Sequence, residues 1–297
     1  MLLPLAELVM RGRSQALAFV LIMLATGTII WPNSIFAAAA ISLVWLRIGV
    51  KEGLLLLLWS LLPTALIAYY LQSELPLLLV CSISISSWVL RDTRSWPYTL
   101  ISIALTGFAA ALALEYVANA SLGAYIEVYE RFLTELKNNV ENPEQLAAVL
   151  PAKLETVFVA GLYGTMLVFS SFLSLVLARS WQARLYNPGG FQQEFHRLRL
   201  GKSELIILVL LSGLFMQLDS QYMTWVWIAL FPLLIAGIAL CHAVAKQRQL
   251  RIQWYVIFYF VLLFWGPLKV FVVVLAILDS LLDIRNRVNR TNNRLDS

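Results

Sequence analysis

Residues 252–290, IQWYVIFYFVLLFWGPLKVFVVVLAILDSLLDIRNRVNR, decide how the rest of the chain is read. Ile252 to Trp265 are almost all apolar or aromatic, Gly266-Pro267 interrupts them, and Leu268 to Leu282 continue as apolar sequence. The stretch ends among Asp279, Asp283, Arg285, Arg287 and Arg290. A bilayer core takes about 20 apolar residues as helix. The run is therefore too long for one upright span and barely long enough for two. Either it turns at Gly266-Pro267 as a hairpin, or it is one kinked and strongly tilted helix with its end on the far side. The hairpin is favoured: each arm reaches roughly 25 Å, and Lys269 just past the turn is a cation that is cheap at an interface and costly at mid-bilayer.

Composition places the rest in the same solvent. The 297 residues are 60% hydrophobic and 13% charged, whereas a soluble domain carries about 25% charged residues. A chain this apolar has too little interior to hide its side chains from water, so lipid is its main solvent. The net charge of +5 is concentrated in short connections, where cations set membrane orientation, and no nucleic-acid partner is implied. Cys81 and Cys241 sit inside apolar runs without metal spacing and read as reduced buried thiols. Arg11 and Arg13 precede a long apolar run with no cleavage pattern, so that run reads as a retained first helix.

Working backward and forward from the C-terminal stretch gives eight spans, at about residues 14–31, 34–49, 52–71, 75–90, 96–117, 154–178, 204–218 and 223–245. With the hairpin this is an all-α, polytopic integral membrane bundle of about ten membrane segments, in a single domain over 1–297. Trp31-Pro32-Asn33, Gln72-Ser73-Glu74 and Asp219-Ser220-Gln221 are outer turns without Lys or Arg. Arg47, Lys51, Arg91, Arg94, Lys246, Arg248 and Arg251 mark inner ends, and both termini are expected in the cytoplasm by the positive-inside rule. The outer stretch 118–153 alternates Tyr125, Val128, Phe132 and Leu136 with acidic residues, which predicts two short amphipathic helices, the second starting at Asn142. The inner stretch 179–202 interleaves Arg179, Arg184, Arg197, Arg199 and Lys202 with aromatic residues, the composition of a segment lying on an anionic leaflet.

Candidate sites are few. Glu115, Glu155 and Asp219 fall at outer span ends, where solvation explains them; if they converged they would form an acidic mouth for a cationic or polar ligand. Asp279 and Asp283 share one helix face. With Arg285, and with Arg197 and Arg199 of the inner loop, they make a candidate inner docking site. Small residues at Gly107/Ala111, Ala109/Ala113 and Gly161/Gly164 suit close helix packing. His196 and His242 have no metal-ligand spacing and read as interfacial. No nucleophile–base set, phosphate loop or metal set is present, so neither an enzyme nor a cofactor is expected.

Leu278-Asp279-Ser280-Leu281-Leu282-Asp283-Ile284-Arg285 after a Gly-Pro-interrupted apolar pair resembles the YybS-like family of bacterial polytopic membrane proteins. Tyr186-Asn187-Pro188-Gly189-Gly190-Phe191 with Phe195 and Leu198 is similar to that family's inner loop. The family is similar in layout to the substrate-binding subunits of energy-coupling-factor transporters. The resemblance implies a bacterial inner-membrane protein that binds a small solute, permease-like and without its own ATPase, with membrane or ATPase partner subunits. It supplies no binding residues. The alternative is a non-transporting membrane scaffold or regulatory protein that binds lipid headgroups or a cytosolic partner through 179–202.

Overall fold

A computed structural model of the protein describes residues 3–30, 32–117, 119–139 and 154–283; among them the regular structure is all helical and no strand occurs. The helices are α1 (Leu3–Met10), α2 (Arg13–Gly27), α3 (Pro32–Arg47), α4 (Val50–Leu71), α5 (Leu75–Thr93), α6 (Trp96–Val117) and α7 (Asn119–Asn139). After them come α8 (Thr156–Tyr186), α9 (Gly190–Arg197), α10 (Lys202–Gln217), α11 (Met223–Gln247), α12 (Ile252–Phe264) and α13 (Gly266–Leu282). Trp31, the Asn142 helix start, and Arg285 with the tail arginines lie outside the described residues.

Five of these, α4, α5, α6, α8 and the helical stretch ending in α11, are long and apolar enough to cross a membrane, and the bent pair α12–α13 brings the number to six at most. This corrects the expectation of eight to ten spans. All eight expected spans are helices, but α2, α3 and α10 have only 15, 16 and 16 residues. At 1.5 Å per residue they reach about 23–24 Å, short of a hydrocarbon core of about 30 Å. The runs at 14–31, 34–49 and 204–218 are about this short in the sequence as well; the expectation of eight to ten spans leaves out the thickness they have to cross. Gly49, with φ 137°, ends the α3–α4 passage in a conformation open mainly to glycine. Conversely, α8 runs 31 residues, through Arg179 and Arg184 to Tyr186, so the first part of the predicted inner loop is helix. Cations emerging from a membrane do not terminate a helix. Among the described residues the outer stretch contributes one 21-residue helix, α7; the second expected helix, from Asn142, lies outside them.

The bundle is built around α8, which packs on α3, α5, α6 and α11. Helices in lipid gain nothing from hiding apolar surface from each other, so close backbone approach has to hold them. Between α6 and α8 it comes from two glycines: a methyl on Gly164 would lie 2.8 Å from the Gly107 carbonyl oxygen and 3.1 Å from Ala111 Cβ. Of the two small-residue pairs read on α6, Gly107/Ala111 is buried against α8, whereas Ala109/Ala113 is exposed. Ala37 to Ala40 of α3 are fully buried in the same way.

The C-terminal pair bends by 110° at Trp265-Gly266. Both arms are tied to one end of the molecule. Tyr259 of α12 shares a 2.8 Å hydrogen bond with His242, near the end of α11, and Asp283 just past α13 accepts from Arg199. α13 therefore runs parallel to α11, with Val272 against Gly237. Gly237 is fourteen residues, about 21 Å, from the start of α11, and Gly266 is six residues, about 9 Å, beyond Val272. The tip of the bend stops about 12 Å short of the far end of α11. α12 leans away from the bundle, with Leu262 its one buried residue.

Candidate functional site

The end of the bundle that carries the arginines is stitched together by them. α3 stops at Arg47, leaving carbonyls without intrahelical donors. Arg91, at the end of α5, donates from Nη1 to the Trp45 and Leu46 oxygens, 2.9 Å each. A cation at a helix C-terminus also meets the negative end of the helix dipole. Arg199 repeats the arrangement on α13: Nη2 donates to the Ser280 carbonyl at 3.0 Å, and Nη1 to Asp283 Oδ1 at 2.6 Å. Arg179 of α8 forms a two-pronged pair with Glu194 of α9, with Nε donating to Oε2 at 3.0 Å. Trp96 Nε1 adds a longer bond of 3.4 Å to the same oxygen. Arg47 stacks its guanidinium 4.0 Å from the centre of the Tyr186 ring.

Four of the residues singled out for inner docking thus differ in fate. Arg199 and Asp283 are brought together. Asp279 is buried at 1% exposure, one turn inside α13, and is not free of interactions. Arg197 is exposed at the end of α9. Arg184, Lys202, Lys246, Arg248 and Arg251 are exposed at the same end, so a cationic rim remains around the internally paired arginines. An Arg199→Met, Asp283→Asn double-mutant cycle, read by unfolding in detergent, is expected to give a coupling of about 1 kcal/mol, because both side chains remain partly solvated. Additivity of the two substitutions would mean that the pair holds nothing.

At the opposite end, Glu115 is half-buried on α6, Glu155 is exposed at the N-cap of α8 and Asp219 is exposed before α11. Asp219 is occupied with its own turn, where its carboxylate accepts from the Gln221 backbone N–H at 3.0 Å and from the Ser220 hydroxyl at 3.1 Å. Among the described residues no hydrogen bond or ion pair joins the three, and neither prominent cavity is lined by any of them.

The sequence reading missed the polar seam in the core. Ser82 of α5 sits 2.7 Å from Thr106 of α6 and 2.9 Å from Ser171 of α8. Ser87 donates to Ser42 of α3 at 2.8 Å, and Ser102 donates to Ser86 at 3.4 Å. These hydroxyls are buried or, at Thr106, half-buried and satisfy one another in three separate groups, through which four helices meet. The signal available was Ser82-Ile83-Ser84-Ile85-Ser86-Ser87, polar density in the middle of an apolar span. Its partners lie on other helices, where spacing along α5 cannot reveal them.

Comparison with family models, with curated proteins and with solved structures finds no match.

Proposed function

We propose that the chain is a non-transporting, non-enzymatic membrane scaffold or regulatory protein, whose cationic end engages an anionic leaflet or an acidic cytosolic partner. The observation that carries the reading is the middle of the bundle. A solute carrier needs a polar space between its helices near mid-bilayer. Here the buried hydroxyls spend their hydrogen bonds on each other, and glycine and alanine bring the helix backbones into contact. The two prominent cavities lie at the periphery, one beside α2 and α4, one on α7. The exposed cations left over from the internal pairs supply the docking charge.

In this reading the protein sits in a bacterial inner membrane as a multi-pass protein, with the cationic end and both termini in the cytoplasm, as the positive-inside rule requires. The α12–α13 pair is then a re-entrant hairpin that enters and leaves on the cytoplasmic side. The short helices α2, α3 and α10 cross by thinning the bilayer locally. The resemblance to the YybS-like family is compatible with this placement.

A second reading keeps the seam as a route. A solute-binding, permease-like subunit driven by separate membrane or ATPase partner chains would exchange the Ser82–Thr106 and Ser82–Ser171 bonds for bonds to a polar solute as the helices part. Cysteine accessibility separates the two. In a background with Cys81 and Cys241 replaced by alanine, single cysteines at Ser82, Ser87 and Ser171 are expected to resist a charged thiol reagent, whereas Arg197→Cys is labelled readily. Labelling at any of the three core positions in the folded protein would remove the scaffold reading and favour the permease.

A further inference from the structure

A cleft of about 440 Å³ lies between α2, α3 and α4 at the cationic end, within the size range of small-ligand pockets. Leu17, Val44, Ile48 and Trp59 form its apolar walls, and the Arg13–Glu52 ion pair stands at its mouth. α4, its outer wall, is the most exposed of the candidate spans. Leu54, Leu58 and Leu62 point away from the bundle on the same helix. The opening therefore faces acyl chains and not water.

We infer that this cleft is a site for one anionic glycerophospholipid, with an acyl chain between α2 and α4 and the headgroup phosphate on Arg13. The charge at the mouth selects the sign. Arg13 lines the cleft with Glu52, the one acid among the lining residues, and Arg11 and Lys51, next in sequence to the lining residues Gly12 and Glu52, are exposed as well, so cations are in surplus. Glu52 takes one donor of Arg13, and a guanidinium has five in a planar fork that suits phosphate. Arg13 keeps 73% of its side-chain surface open, so a phosphate has room to share it. The same residues suit a neutral lipid poorly, because its headgroup brings its own cation to a site that already has a surplus. A second protein helix would have to place an acidic side chain at the same height. The site involves none of the cations assigned to docking above and holds whether or not the scaffold reading does.

The test is mass spectrometry of the full chain ejected from nanodiscs containing equal phosphatidylglycerol and phosphatidylcholine. One retained phosphatidylglycerol is expected. Arg13→Gln should lower the preference for phosphatidylglycerol roughly tenfold, the value of one charge-assisted hydrogen-bond set, and Arg13→Lys should restore part of it. Leu17→Trp should fill the cleft and abolish retention of either lipid. Glu52→Gln removes the competing carboxylate and should raise phosphatidylglycerol retention, whereas a merely structural ion pair would leave it unchanged or lower it. Equal retention of both lipids by the native chain, unchanged retention in Leu17→Trp, or a dimer mass in place of a bound lipid would overturn the site.

Discussion

Gly237→Leu is expected to detach α13 from the bundle and to cost about 3 kcal/mol, the upper end for forcing extra atoms into a packed interior. A Cβ at position 237 would lie 2.2 Å from the carbonyl oxygen of Val272 and 2.9 Å from its carbonyl carbon. Those are backbone atoms, which cannot rotate aside as a side chain can, so α11 and α13 must separate along their whole shared face. The loss falls where it cannot be recovered, because lipid-exposed helices have only packing, hydrogen bonds and lipid entropy to bring them together. Even Gly237→Ala should account for most of the effect. Gly213→Ala on α10 is the matched control: its new methyl meets nothing within 4 Å, and removing a glycine from a helix interior should be neutral or stabilising by up to about 1 kcal/mol. Thermal unfolding in detergent reads all three. A Gly237→Leu protein as stable as the native one would mean that α13 is not seated on α11.

The second large effect is local. Arg179→Met is expected to release α9 while leaving the bundle intact. α9 has no fully buried residue, so it is held by contacts at its edges. Phe191 meets Trp96 with ring centres 5.8 Å apart, Phe195 meets His242 at 5.7 Å, and Glu194 takes the two-pronged hydrogen bonds of Arg179. Without the guanidinium, Glu194 is left half-buried with one long bond from Trp96. Breaking such a pair costs more than making it contributed, because the stranded carboxylate stays poorly solvated. About 2 kcal/mol of local stability should be lost, so amide hydrogen exchange over 190–197 should speed up roughly thirtyfold, with little change in the α8 amides. Arg179→Lys should fall between, since an ammonium cannot reproduce the planar fork. Unchanged exchange in Arg179→Met would assign the anchoring to the aromatic rings alone.

How much of this could be read in the chain differs from element to element. The positions of the long helices follow from local rules: cations and Pro or Gly punctuate apolar runs, and those breaks fall near the observed ends of α4, α5, α6 and α11. The all-helical, membrane-embedded character follows from composition alone. The length of α8 does not, because Arg179 and Arg184 look like a loop until the helix is seen to run through them, with Arg179 paired to Glu194. The excess count at α2, α3 and α10 has another origin. An apolar run measures affinity for lipid, and a run of 15 or 16 residues has that affinity without the length to cross. At the candidate sites, Arg199 and Asp283 carry opposite charge and occur at the same predicted height, so their meeting was within reach of the pattern. The caps that Arg91 places on Trp45 and Leu46 were not, because a carbonyl is present at every residue and carries no mark in the sequence. The Ser82 seam was hidden for a related reason: it exists only in the juxtaposition of α5, α6 and α8.

The unequal helix lengths have a consequence for the surrounding lipid. On the flank of α2 the hydrocarbon height offered to acyl chains is about 23 Å, and the α12–α13 flank is low as well. α8 and α11, of 31 and 25 residues, stand at full height through the centre and one side. A flat bilayer cannot match both, so the annulus has to dip on two sides of the molecule. Each ångström of mismatch carries a small elastic penalty, and two such proteins share one dip at lower cost than they make two. In a thick, sterol-like or long-chain bilayer these molecules should therefore draw together along their low flanks without any protein contact to guide them, and in a thin one they should disperse.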